Sequence, residues 1–121
     1  MKIRRLVSFI CGLIFSMGAN ASPLINQNDE QLFKSFALSS CLAKYYKGSD
    51  IADDALAAMQ GYREFSDLHL DVFFDVSTLL ESEVETSYIA KDGQVIELAY
   101  CIDFLNSEEL HSLYLEAIKP E

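Results

Sequence analysis

Between Pro23 and Pro120 the chain contains no proline, and these two are the only prolines it has. Proline removes a backbone donor and clashes with the preceding turn, so a stretch without it leaves helices free to run uninterrupted. The residues inside that stretch recur with helical spacing. Asn28 is placed to cap a first helix, with Gln31 at the reciprocal position of a capping box. That helix is expected to reach about Tyr46, with Gly48 as its stop. Its apolar residues (Leu32, Phe33, Phe36, Ala37, Leu38, Cys41, Leu42, Tyr45 and Tyr46) lie almost all the way round, the pattern of a helix surrounded by others.

Ser49 or Asp50 is expected to cap a second helix, with Ile51, Ala55, Ala58, Met59 and Tyr62 on one stripe. Gly61 weakens its last turn. A third helix is expected over residues 67–86, burying Val72, Phe73, Val76, Leu79, Leu80 and Val84. Its opposite face carries Asp67, Asp71, Asp75, Thr78, Ser82 and Glu85, and Phe74 falls on that acidic face. Residues 87–94 read as a loop turned at Lys91, Asp92 and Gly93. Residues 95–105 begin with the β-branched Val95 and Ile96, but the spacing of Leu98, Cys101, Ile102 and Leu105 favours a helix. Ser107 caps a last helix, with Glu108 and Glu109 set against its dipole and Leu110, Leu113, Tyr114, Ala117 and Ile118 as its stripe. No strand pair or hairpin stands out. The expected fold class is all-α, a compact bundle of four to five helices with one disulfide.

The disulfide follows from the leader. Lys2, Arg4 and Arg5 precede an apolar run over residues 6–17, and Ala19-Asn20-Ala21 forms an A-x-A cleavage site. Residues 1–21 therefore read as a secretory signal peptide, and residues 22–121 as one helical domain. The run is shorter than the roughly 20 residues a membrane span needs. Cys11 is discarded with the leader, which leaves Cys41 and Cys101, and an exported pair most simply forms one bridge. In the chain-entropy model that bridge is worth roughly 4 kcal/mol.

Cleavage also sharpens the charge. The whole chain carries −10, and losing three of nine basic residues but none of 19 acidic ones leaves −13. Such a surface is unsuited to nucleic acid or to anionic membranes, which both require Lys and Arg. A basic partner suits it, and so does simple solubility.

Chemistry of other kinds is thin. A cysteine nucleophile with His69 or His111 as base conflicts with a bridged pair, so no catalytic residue is expected. His69, Asp71 and Asp75 lie one turn apart, yet no second cluster completes a metal sphere. Neither a phosphate-binding glycine loop nor a basic stripe is present, and no cofactor is expected. The sharper features are surfaces. Phe74 among Asp67, Asp71 and Asp75 has the makings of an interface anchor with a polar rim, or else it packs under a neighbouring element. The segment from Tyr88 through Lys91, Asp92 and Gly93 is either a protruding loop or a plain connector.

Three blocks carry a family resemblance: Phe36-Ala37-Leu38-Ser39-Ser40-Cys41-Leu42; the Ala-rich second helix leading to Gly61-Tyr62; and Cys101-Ile102-Asp103-Phe104-Leu105-Asn106-Ser107-Glu108-Glu109-Leu110. Together they resemble the immunity proteins that bacteria pair with the fourth family of type VI secretion amidase effectors. The resemblance implies a periplasmic, all-helical homodimer with a structural disulfide at Cys41 and Cys101. It implies a cognate peptidoglycan amidase as partner and no enzymatic activity of its own. One contact would come from the helix over residues 67–86, and another from a loop that blocks the amidase cleft, matched here by order to residues 88–94. The expected partner-binding set is Asp67, Asp71, Phe74, Asp75, Tyr88, Lys91, Asp92 and Gly93. The competing reading is an acid-activated periplasmic chaperone, also small, acidic, helical and disulfide-bonded. A small-ligand carrier would need an internal apolar cavity.

Overall fold

The first helix opens on a reciprocal pair of hydrogen bonds. The Asn28 side chain accepts from the Gln31 amide at 2.9 Å, and the Gln31 side chain accepts from the Asn28 amide at 3.0 Å. Two of the amides that a helix start leaves unpaired are satisfied in this way. The computed structural model describes residues 23–82 and 88–120. The leader over residues 1–21, and Val84, Glu85 and Thr86 of the third helix, lie outside the described residues. Within them the chain forms a 3-10 turn (Pro23–Asn26) and five α-helices: α1 (Asp29–Tyr45), α2 (Asp50–Phe65), α3 (Leu70–Ser82), α4 (Glu97–Leu105) and α5 (Glu108–Ala117). None of these helices is long and apolar enough to cross a membrane.

α1 is the central element, as its all-round apolar surface predicts. It packs on α2, α3 and α4, and its Phe33 ring meets Tyr114 of α5 at 5.6 Å. Leu32, Phe33, Phe36, Ala37, Ser39, Ser40 and Cys41 are all buried along it. The buried Ser40 hydroxyl donates to the Phe36 carbonyl one turn back, so it carries no unmet donor into the core. The chain leaves α1 through Gly48 at φ +86°, a left-handed conformation that glycine takes without a Cβ penalty. Ser49 then caps α2 by accepting from the Ala52 amide.

Ala52 and Ala55 are the buried residues of α2, and Met59 and Tyr62 pack against the core. Ile51, expected on that stripe, is exposed, because the small Ala52 takes the inward position in the first turn and lets α2 approach α1 closely. Gly61 does not break the helix. A Cβ there would stand 3.2 Å from Cδ1 of Leu24, so the missing side chain admits the 3-10 turn. Asp29, in the first turn of α1, holds the α2–α3 connection: its carboxylate accepts from the Ser66 hydroxyl and from the Asp67 amide, both at 2.9 Å.

Residues 95–105 divide at their middle. Val95 is extended and forms an antiparallel bridge with Ile89, and the helix begins only at Glu97. The hairpin not foreseen from the sequence is therefore present, though it holds a single bridge. α4 is also rolled relative to its expected stripe. Tyr100, Cys101 and Phe104 face inward, while Leu98 and Ile102 are exposed. Two contacts set this roll. Tyr100 packs edge-on against Tyr45 at 5.1 Å, and Cys101 is bonded to Cys41. The bridge joins the C-terminal half of α1 to the middle of α4 across a sequence separation of 60, with Cα atoms 5.6 Å apart and both cysteines fully buried. At the far end, Ser107 caps α5 and Leu110 is buried, but Ile118 caps the helix C-terminus and stays exposed.

Two expectations follow. Replacing both Cys41 and Cys101 with alanine should cost about 4 kcal/mol of unfolding free energy, somewhat less if the reduced chain keeps residual structure. Urea unfolding checks this, and reduction of the unaltered protein should give a matching loss. The second concerns alkali. Tyr114 is raised above the usual tyrosine value, first by burial and then by the nearby charges of Glu30 and Asp29. A tyrosine raised on folding contributes stability that is complete below about pH 10, its unfolded value, and is lost as pH rises through the native one. Tyr114→Phe should therefore flatten the fall in melting temperature above that pH, with little change in slope near neutrality.

Candidate functional site

The outward face of α3 is a direct product of helical period. Phe73 and Phe74 are consecutive, yet Phe73 is 2% exposed and Phe74 is 61% exposed. Phe73 meets Phe36 of α1 in an edge-on ring contact at 4.7 Å, and with Val72, Val76 and Leu80 it fixes which side of α3 turns inward. Asp71, Phe74, Asp75 and Thr78 are left facing solvent. The Thr78 hydroxyl donates to the Phe74 carbonyl at 3.1 Å. Phe74 thus stands in the open, and among the described residues no neighbouring element packs over it.

Two features of this face differ from expectation. α3 begins at Leu70, so Asp67 is not on the helix; it lies in the connection that Asp29 holds, with its side chain exposed. Leu70 joins the face, one helical turn before Phe74 and exposed as well. Its four-residue spacing from Phe74 was legible in the sequence, but without the true helix start it reads as one more apolar position. Asp71 lies 3.4 Å from the His69 ring, with both side chains 80% exposed, so the pair belongs to the solvated surface.

The second surface is the hairpin. Ala90 and Gln94 close a three-residue loop: the Ala90 amide donates to the Gln94 carbonyl at 2.7 Å, and the Gly93 amide donates to the Ala90 carbonyl at 2.9 Å. Gly93 sits at φ +87°, the left-handed residue that such loops require. The Asp92 side chain accepts from the Gln94 amide at 3.0 Å, so it serves its own turn first. Lys91 is exposed at the tip and is the single Lys or Arg between Arg63 and Lys119. Tyr88 lies at the base, not the tip. Its hydroxyl donates to the carboxylate of Asp103 on α4. That bond, followed by desolvation and the charge of Asp103, raises the Tyr88 phenol above its ordinary value. Around the base, Ile89, Val95, Ile96, Leu98 and Ile102 are all exposed. Leu98 and Ile102 were expected to face inward, and the roll of α4 about Cys101 turns them outward.

Other chemistry finds no seat. Cys41 and Cys101 are both consumed in the bridge, so neither offers a thiolate nucleophile. Among the described residues no group of three or more His, Cys, Asp and Glu side chains is placed to hold a metal ion. A shallow surface cleft lined by Glu30, Phe33, Lys34, Leu105, Leu110, His111 and Tyr114 is far smaller than a small-molecule site. The described surface presents an aromatic–aliphatic pair edged by carboxylates, and an exposed turn with one cation.

Residues 31–114 match the family model Tai4, described as type VI secretion system (T6SS), amidase immunity protein. Compared with curated protein sequences, the chain has no significant match. Among solved structures it is similar to one of the effector–immunity system Tae4/Tai4 from Salmonella typhimurium, with a TM-score of 0.71 and 24% identity, covering 80% of this chain and 96% of that one. It is also similar to the type VI effector–immunity complex Tae4-Tai4 from Enterobacter cloacae, with a TM-score of 0.66 and 18% identity, covering 74% of this chain and 91% of that one. At these identities the likeness is one of fold.

The opposed settings of the two phenylalanines give a direct check. Phe73→Ala should destabilise the fold by about 3–5 kcal/mol, the usual range for a buried phenylalanine. Phe74→Ala should change unfolding free energy by no more than about 0.5 kcal/mol, as surface substitutions do. Parallel denaturant titrations of the two variants measure the difference.

Proposed function

The chain belongs to the Tai4 family of type VI secretion system amidase immunity proteins, and on that premise we propose that it binds a peptidoglycan amidase effector and silences it by filling the active-site groove. The observation that carries this reading is the hairpin, a turn whose backbone is internally satisfied and whose Lys91 tip stands clear of the domain. A groove that holds a peptide stem accepts a narrow, protruding turn more readily than it accepts the broad side of a helix. Lys91 meets the groove, and Asp92 and Gly93 keep the turn in shape. Phe74, with Leu70 beside it and Asp71 and Asp75 at its edge, anchors a second contact outside the groove. Asp67 borders that contact from the connection before α3.

Inhibition of this kind requires no turnover by the immunity protein, and we assign it no catalytic residue. The leader read over residues 1–21 supports export to the periplasm, where a wall-cutting enzyme acts and where the cysteine pair oxidises. The −13 charge of the domain left after cleavage favours fast encounter with a basic groove. We further propose that the protein works as a homodimer. The exposed Ile96, Leu98 and Ile102 provide apolar area for a self-complementary contact.

Peptidoglycan cleavage by the cognate amidase should fall to background when the purified domain is added in equimolar amount. Undiminished cleavage at that ratio, with both proteins folded, overturns the reading. Phe74→Ala should weaken binding by about tenfold, as loss of an anchoring aromatic does, without the stability change expected of Phe73→Ala. Light scattering should return twice the mass of the cleaved chain.

A further inference from the structure

The hairpin has few backbone bonds across its arms. It contains one bridge, between Ile89 and Val95, flanked by bonds from the Ile96 amide to the Tyr88 carbonyl at 2.8 Å and from the Ala90 amide to the Gln94 carbonyl at 2.7 Å. A lone two-stranded hairpin is marginal in water. Apolar burial does not hold this one, because Ile89 and Val95 are both exposed. Its second arm is secured by covalent continuity, since Ile96 leads directly into α4. Its first arm leaves the opposite end of the hairpin and has no such continuity with α4. There the Tyr88 hydroxyl donates to the Asp103 carboxylate, 15 residues further along the chain. Asp103 lies two residues beyond Cys101, whose bridge ties α4 to the centre of the bundle.

We infer that Tyr88 and Asp103 are positioning residues: their hydrogen bond is a latch that holds the first arm of the hairpin against α4, so that the Lys91 tip meets the amidase already ordered. The inference rests on the occlusion reading for its purpose, but the latch is observable without the amidase. Both arms of the hairpin are then fixed to one helix, and that helix is fixed to α1 by the disulfide. A tip ordered in advance loses less conformational freedom on binding than a mobile one, so affinity rises without any new contact. The phenol of Tyr88 therefore acts through the hairpin, and need not touch the partner.

Tyr88→Phe keeps the ring and removes the donor, and Asp103→Ala removes the acceptor at an exposed helical position. In each variant the Ala90 and Ile96 amides, both donors within the hairpin, should exchange with solvent about fivefold faster, the effect of losing one modest hydrogen bond. Amides in the middle of α1 should exchange at their original rate. Affinity for the cognate amidase should fall by a similar factor in each variant. The double variant should lose no more than either single one, because both act on the same bond. Unchanged exchange in both single variants overturns the latch, and so does faster exchange with undiminished affinity. If the unaltered protein fails to bind the amidase, the occlusion reading falls, and the exchange rates alone decide whether the latch exists.

Discussion

The Cys41–Cys101 bond fixes more than the stability of a small domain. It joins the C-terminal half of the central helix to the middle of α4, two elements far apart in sequence. Its position determines the roll of α4, because Cys101 must face α1. That roll decides which residues of α4 are covered. Tyr100 and Phe104 are drawn in beside the bridge, and Leu98 and Ile102 are carried outward. The hairpin before α4 inherits its direction from the same constraint, since Ile96 is both the end of the hairpin and the cap of the helix.

A second tie works at the other end of the bundle. The Asp29 carboxylate gathers the Ser66 hydroxyl and the Asp67 amide, so the start of α1 sets where α3 can begin. At the opposite end of α3, the Lys44 ammonium of α1 donates to the Leu80 carbonyl at 3.0 Å, a cation placed against the negative end of the helix dipole. α3 is thus gripped near both termini by side chains of the central helix, and only its inner face is packed. Its outer face carries exposed polar and aromatic side chains that the core does not require.

The helices were legible in the sequence wherever a cap announced them. Asn28 with Gln31, Ser49 and Ser107 each stand at the observed starts of their helices. Period alone put Phe74 on the face opposite Val72, Phe73, Val76 and Leu80, but whether a neighbour covered it was not legible until the packing was known. The start of α3 was less legible, since the only described residue before it whose side chain accepts from its first turn is His69, at 3.4 Å, and the bond that holds the preceding connection comes from Asp29, 38 residues away. The hairpin was hidden for a related reason: its single bridge is too short to show alternation. The outward set on α4 could not be read at all from spacing. Leu98, Ile102 and Leu105 form as regular a stripe as Tyr100, Cys101 and Phe104, and only the identity of Cys101's partner chooses between them.

The side-by-side phenylalanines of α3 have a consequence for how such a protein diversifies. Phe73 answers to the core and Phe74 to whatever lies outside, although they are adjacent in the chain. Substitutions on the outer face cost little folding free energy, so that face can be rewritten position by position while the inner one stays constant. The similarity of fold at 24% and 18% identity is what such a division of labour permits. A new partner can then be met by changing letters on one side of a helix, with the architecture that presents them left as it was.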